Sequence, residues 1–363
     1  MQVQTSAGEA VWAVLQACAG RAWRRLWDIG PHWLLGPDNR LFWVYLLSFV
    51  ALGAYAWRRF YRQPAPGASM PGAACLRFMF PAAIYRHPSA LVDYQMALLN
   101  RVLGPSTWLF GLVGGSASIA IVADFTQRLL APPNGVAAAA HGWTITGVVL
   151  FTLGVAALRD LVTFFVHLLH HRVPLLWEFH QVHHSAEVLT PLTVYRKHPV
   201  YTLCERILTI AMVGPAQGVL ALGCAGVAMP LTLFGANFVF ALFHLAGANL
   251  RHSHIWLPFG FHLSHVFISP AQHQIHHSTA PRHQGRNYGE VFALWDWLCG
   301  TLYVPSVAPE ALQFGLGTGV AQPHGSVWRA YAVPCVNGAA LLGRYLRRSP
   351  CVEAAPAVAP RRE

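Results

Sequence analysis

Long apolar runs alternate with short polar interruptions along this chain. A helix needs about 20 mainly apolar residues to cross a bilayer. Candidate spans lie at 41–57 (LFWVYLLSFVALGAYAW), 106–125, 143–166, 207–223 and 225–247. Between them lie RQPAPGASMPGAA, a Pro/Gly linker near Arg58, Arg59 and Arg62, and LLAPPNGVAAAAHG, a loop with little charge. The pattern predicts an all-α integral membrane protein with about 4–6 membrane-embedded helices. The stretch 1–40 reads as an N-terminal segment with a membrane-surface helix around 8–27, and 41–140 as an N-terminal transmembrane region. A main domain follows over 141–305, then a peripheral segment and a disordered tail over 306–363.

Placing Arg58, Arg59 and Arg62 in the cytoplasm follows the positive-inside bias. The chain then leaves through the second span, returns through the third and emerges at residue 167, and the last two spans form a hairpin ending near 248. Both histidine-rich stretches, 167–198 and 248–290, fall on the cytoplasmic face in this topology. Arg21, Arg24, Arg25 and Arg40 fall on the opposite face, in conflict with the same bias.

Composition agrees with a membrane setting. Hydrophobic residues make up 55% and charged residues 11%, whereas a soluble domain is about 25% charged. The formal charge is +11, and Lys197 is the only lysine among 25 basic residues. Nucleic acid is not indicated, because the charges flank apolar stretches rather than forming a basic run on a soluble fold. Anionic lipid suits them better. The excess of arginine and alanine points to a GC-rich bacterial genome. Seven cysteines without a CxxC pair indicate neither a disulfide framework nor a thiolate metal site. The first twenty residues lack a basic start and contain Glu9, so no cleaved signal peptide is expected.

The histidines change the picture most. Of 20, 16 lie between His167 and His283. HLLHH carries His167 and His171, HQVHH carries His180, His183 and His184, and HQIHH carries His273, His276 and His277. Residues three and four apart share a helical face, so each box can aim its imidazoles into one cavity. The adjacent pair of an HxxHH box diverges by about 100°, so one member can face one metal and its neighbour another. These eight imidazoles would supply four to each of two ions. Imidazole suits Fe, Zn, Cu and Ni alike. The scarcity of nearby carboxylates argues against Mg, Ca and a glutamate-rich di-iron bundle. Unpartnered imidazoles beside hydrocarbon are costly, so three such boxes imply a metal. His32, His87, His141 and His324 stand alone and read as structural or solvated.

The segments DLVTFFVHLLHHRVPLLWEFHQVHHS (160–185), RKHP (196–199), NLRHSHIWLPFG (249–260), SPAQHQIHHS (269–278) and NYGEVFALWDWLCGTLYVP (287–305) resemble the fatty acid hydroxylase/sterol desaturase superfamily. YRHPSALVDYQMALLN (85–100) resembles its bacterial members more weakly. The resemblance implies an integral membrane di-iron oxygenase whose cytosolic helical cap carries the histidine boxes. By position, His167 and His171 match the first box, His180, His183 and His184 the second, and His273, His276 and His277 the last. His252 matches an intermediate histidine. Some members have an HxxxH pair there, but Ala248 occupies the earlier position, leaving His254 or His244 to complete the set, with His254 preferred. His198 and His283 sit in motif-like contexts as further ligands or positioning groups. His170 reads as accessory, and His262 and His265 as structural. Asp160 lies seven residues before His167 and on its helical face, which makes it the expected carboxylate partner of a ligand imidazole. Asn287 and Asp296 are expected to brace the final box.

The implied reaction is O2-dependent hydroxylation or desaturation of a lipid C–H bond, on an acyl chain or related lipid, with two non-haem irons as cofactor. Each turnover needs two external electrons. The chain shows no cytochrome b5-like segment, Rossmann glycine pattern or cysteine-ligated cluster. A separate ferredoxin-, rubredoxin- or cytochrome-type donor is therefore implied. Arg172, Arg196, Arg206, Arg282 and Arg286 could attract an acidic donor or lipid headgroups. The expected setting is a bacterial inner membrane with the site facing the cytoplasm. Two other classes compete. A zinc-dependent membrane hydrolase needs a general-base carboxylate as in HExxH, and Glu178, Glu187 and Glu205 do not stand between ligand histidines. A metal transporter needs polar residues along its spans, and the candidate spans are nearly free of them.

Overall fold

The computed structural model describes residues 30–61, 71–103, 115–130, 144–224, 229–317, 319 and 321–347. The expected surface helix at 8–27 and the tail from 348 lie outside the described residues, as do most of the two linkers and the start of the 106–125 span. The described elements are mostly helical, with one two-stranded sheet.

Helix α1 runs Trp43–Ala56 and continues into a π-helical turn, Trp57–Tyr61. After α2 (Pro71–Met79), α3 (Pro88–Leu103) and α4 (Gly115–Leu130) comes α5, Ile145–Arg172. The Thr144 side chain caps α5 by accepting from Gly147 N, and Pro174 forces the preceding Val173 into extended geometry that ends it. Pro174 opens α6 (Pro174–His184), where a missing N–H costs nothing. The His198 ring likewise caps α7 (Pro199–Gly223) by accepting from Val200 N, with Pro199 at the first turn. Helix α7 packs along α4 and α5. Gly214 and Gly218 permit this approach, since a Cβ at Gly218 would stand 2.6 Å from Ala123 O.

Among the described residues, α5 and α7 are long and apolar enough, by length and composition, to cross a membrane. At 28 residues, α5 is about 42 Å long against a hydrocarbon core of about 30 Å. It carries His167, His170 and His171 in its last turns.

Helix α1 and its π-helical turn together run from Trp43 to Tyr61 over the expected 41–57 stretch, and Phe49 and Ala56 pack against Met79, Leu250, Ile255 and Leu257. The structure corrects one expected span. The 225–247 stretch is not one helix. Strands β1 (Thr232–Leu233) and β2 (Ala236–Asn237) pair antiparallel across Phe234 (φ 56°) and Gly235 (φ 87°). Positive φ at both central residues is the hairpin geometry that suits strand twist. Asn237 then caps the eight-residue α8, Phe238–Leu245. The expected topology is corrected at Arg40 as well: instead of lying opposite the histidines, it pairs with Glu290 on the histidine side. Apolar length alone could not reveal that partner, which is 250 residues away.

Candidate metal centre

Helix α5 delivers His167 and His171, and α6 delivers His180, His183 and His184. His252 follows a short 3-10 turn, Ala248–Leu250. Helix α9 (Pro270–His276) carries His273 and His276, with His277 as its C-cap. It starts at a reciprocal cap between Ser269 and Gln272, and all of its residues are buried.

These elements gather nine imidazoles into two groups. One holds His167, His171, His180, His184 and His276, and the other holds His183, His252, His273 and His277, with ligand nitrogens within 4.8 Å of one another. Each adjacent pair of the HxxHH boxes is split: His184 and His276 face the first group, His183 and His277 the second. The groups adjoin, with the rings of His184 and His277 stacked at 4.5 Å.

The nitrogen spacing fits metal ligation. Nε2–Nε2 separations are 3.3 Å for His167–His171, 3.2 Å for His180–His184 and 3.2 Å for His183–His252. They are 3.0 Å for His252–His273 and 3.3 Å for His273–His277. Nitrogens about 2.1 Å from a shared ion stand about 3.0 Å apart at right angles and about 3.4 Å apart in a tetrahedron. His276 Nε2 is buried with no hydrogen-bond partner, an orphan that a metal would satisfy.

Backbone carbonyls set two of the ring orientations. His167 Nδ1 donates to Tyr288 O at 2.8 Å, and His276 Nδ1 donates to Arg286 O at 2.9 Å. Because a carbonyl only accepts, each proton sits on Nδ1 and each Nε2 lone pair faces its group. Burial, reinforced by the neighbouring imidazoles, pushes His180, His183, His184 and His277 well below the usual histidine range. Burial also lowers His252 and His273, with Arg251 adding to both. His276 is pushed down to about 4, again chiefly by burial. Each of these is therefore a neutral nitrogen donor near pH 7.

Two buried carboxylates pin the backbone from Tyr288 to Phe292, which presents Tyr288 O. Asp296 accepts from Tyr288 N (2.8 Å), Gly289 N (2.7 Å) and Thr301 Oγ1 (2.6 Å). Asp160 accepts from Val291 N (2.8 Å), Phe292 N (2.9 Å) and Trp295 Nε1 (2.9 Å). The expectation for Asp160 is corrected here: it meets no ligand imidazole but clamps the strand of backbone that presents Tyr288 O. Asn287, at φ 58°, donates to Gln272 O and Tyr303 O, tying α9 to the same segment.

His254, the preferred tenth ligand, is placed elsewhere. Its Nε2 donates to Phe78 O at 2.7 Å and its ring meets Phe78 edge-on, because the chain has turned away two residues after His252. His244 packs on Tyr45, and His198 caps α7 while its Nε2 donates to Tyr331 O. His283 contacts Ser278 and Glu310. His170 donates to Val166 O and packs on Tyr201. None of these five joins either group. Arg196 is no docking cation: it is fully buried, pairs with Asp93 at 2.9 Å and donates to Val182 O at the end of α6.

Some neighbours carried no local signal. Tyr288 brings its ring within 5.0 to 5.8 Å of His171, His276 and His167. Arg251 Nη2 lies 2.8 Å from His273 Nδ1, and burial lowers Arg251 to about 9. Burial raises the Glu290 carboxyl, but Arg40 and Arg251 outweigh it and hold the group at about 2.

Among the described residues, a largely helical fold with two adjoining groups made only of imidazole has the donor set of a polyhistidine metal centre. Residues 152–301 match the family model described as fatty acid hydroxylase. The chain is 30% identical over 160 residues to ornithine lipid hydroxylase OlsE of Rhizobium tropici, covering 44% of this chain and 43% of that protein. It is 26% identical over 155 residues to alkylglycerol monooxygenase of Danio rerio, covering 42% and 29%. With cholesterol 25-hydroxylase of Homo sapiens it shares 31% identity over 152 residues, covering 41% and 50%. The chain thus aligns with half or less of the length of these relatives. No solved structure matches. Over residues 152–301, its histidine-bearing region, the chain is thus similar to the fatty acid hydroxylase family.

Proposed function

We propose that the protein is an integral membrane, di-iron, O2-dependent lipid hydroxylase. The observation that carries this reading is the donor set: five and four neutral imidazoles, with no carboxylate in either group. His167, His171, His180, His184 and His276 would hold one ion, and His183, His252, His273 and His277 the other. Bound iron would supply the oxidation: a lipid C–H, O2, two electrons and two protons give a C–OH and water.

The chain's own part is positional. Tyr288 O and Arg286 O orient His167 and His276, Asp296 and Asp160 pin the backbone from Tyr288 to Phe292, and burial of the histidines on α6 and α9 keeps water from their nitrogens. Hydroxylation is favoured over desaturation because the relatives are named as hydroxylases and a monooxygenase, each with a lipid in its name. The electrons would come from a separate ferredoxin-, rubredoxin- or cytochrome-type protein. The setting would be a bacterial inner membrane with the site on the cytoplasmic side. The test is to reconstitute the purified protein with Fe(II) anaerobically, add reductant, membrane lipid extract and 18O2, and search the lipids by mass spectrometry. One labelled oxygen in a lipid is expected. Iron loading without labelled lipid, across lipid extracts from several bacteria, would count against a hydroxylase.

A further inference from the structure

The wall of the histidine site is charged where an acyl chain would call for apolar side chains. A cavity of about 60 Å³ opens among Arg40, Lys197, Glu205, Arg251 and Glu290, with His167, His180, His183, His252 and His273 also lining it. Val194 is the one aliphatic side chain in that lining. The space is small, and its charged lining suits an oxyanion better than an alkyl chain.

The charges do not balance. Glu290 pairs with Arg40, and Glu205 pairs with Lys197 at 3.3 Å. That leaves Arg251 as a third cation with no carboxylate of its own: Glu290 Oε1 lies 4.0 Å from its Nη1. Arg251 is 2% exposed, and its Nε and Nη1 have no hydrogen-bond partner. Burying a guanidinium with unspent donors is costly unless an acceptor arrives. Lys197 points to the same chemistry. It is the only lysine in a chain that otherwise uses arginine, and a compact ammonium offers three donors, of which Glu205 takes one.

We propose that this cavity receives the anionic headgroup of the lipid, a carboxylate or phosphate oxyanion held by Arg251 and Lys197. The carbon that is oxidised then lies in or beside the headgroup, not far along an acyl chain. This inference rests on the hydroxylase reading for its chemistry, but its binding test does not require iron.

The metal-free full chain, in a neutral detergent, is titrated with three short-chain lipids: dioctanoyl phosphatidic acid, N-dodecanoylglycine and dioctanoylglycerol. At least one acidic lipid should bind about tenfold or more tightly than the neutral one, as expected for a charge-assisted contact. Comparing the phosphate with the carboxylate identifies the source of the oxyanion. Lys197→Gln should weaken acidic-lipid binding and leave neutral-lipid binding unchanged. Glu290→Gln removes a competing negative charge and should tighten acidic-lipid binding, a gain that damage to the fold would not produce. Equal binding of acidic and neutral lipids, tighter acidic-lipid binding by Lys197→Gln, or weaker acidic-lipid binding by Glu290→Gln overturns the proposal. Failure to take up iron or consume O2 would instead overturn the hydroxylase reading and leave the binding result standing.

Discussion

Replacing Asp160 by Asn tests how the site is held without touching a ligand. Asp160 is 1% exposed and accepts three hydrogen bonds, from Val291 N, Phe292 N and Trp295 Nε1. Two of them converge on Oδ2, so an asparagine does best by placing its carbonyl oxygen there. Its NH2 then faces the Val291 N–H, and one charge-assisted bond is lost, about 1.5–3 kcal/mol. The released backbone leads directly to Tyr288 O, which orients His167. If the whole cost reaches the metal equilibrium, affinity falls about 10- to 100-fold, in line with partners that orient metal-bound histidines. The assay is chelator competition for Fe(II) or Co(II), run beside thermal unfolding of the metal-free protein. A protein that is destabilised yet binds metal within about threefold of wild type would show that this clamp does not reach the ligands, and the argument from Asp160 to His167 would be wrong.

Further expectations separate ligands from bystanders. His276→Ala removes a donor from the five-histidine group and should lower metal content and activity together, whereas His254→Ala, whose ring contacts Phe78, should keep full metal content; inductively coupled plasma mass spectrometry distinguishes the two. Cys204→Ser should leave metal content unchanged, since neither group contains sulfur; loss of metal would break the all-imidazole assignment. The metal-free protein should lose stability in acid. Its site histidines titrate below their unfolded value of about 6.5, so the unfolded chain binds more protons as pH falls. That stability is intact above about 6.5 and drains away as pH drops towards the folded values, about 4 for His276. Melting temperatures from pH 8 to pH 4 should therefore decline through this window, and a flat profile would contradict neutral, buried imidazoles.

The three histidine boxes were legible because helical spacing is a local property. The 100° divergence within HxxHH anticipates how His183 and His184, and His276 and His277, divide between the groups. Where the account depended on distant chain, the sequence misled. His252 and His254 are two residues apart at a turn, so they point to different surroundings, and the Phe78 carbonyl that takes His254 comes from the end of α2. Asp160 shares a helical face with His167, yet its partners lie 131 to 135 residues away, and it acts through backbone. The apolar run at 225–247 hid a hairpin because hydropathy does not register φ, and Phe234 and Gly235 both have positive φ. Arg40, Arg251 and Glu290 meet only in the folded chain, so their shared cavity had no signature in the sequence.

The central claim is that two iron ions are held by nitrogen alone. The most direct test is the iron content and Mössbauer spectrum of protein expressed in 57Fe medium and purified in detergent. The account predicts about two irons per chain as a coupled pair, matching the two histidine groups. Zinc alone, not exchangeable under anaerobic iron loading, would contradict it and favour a hydrolase.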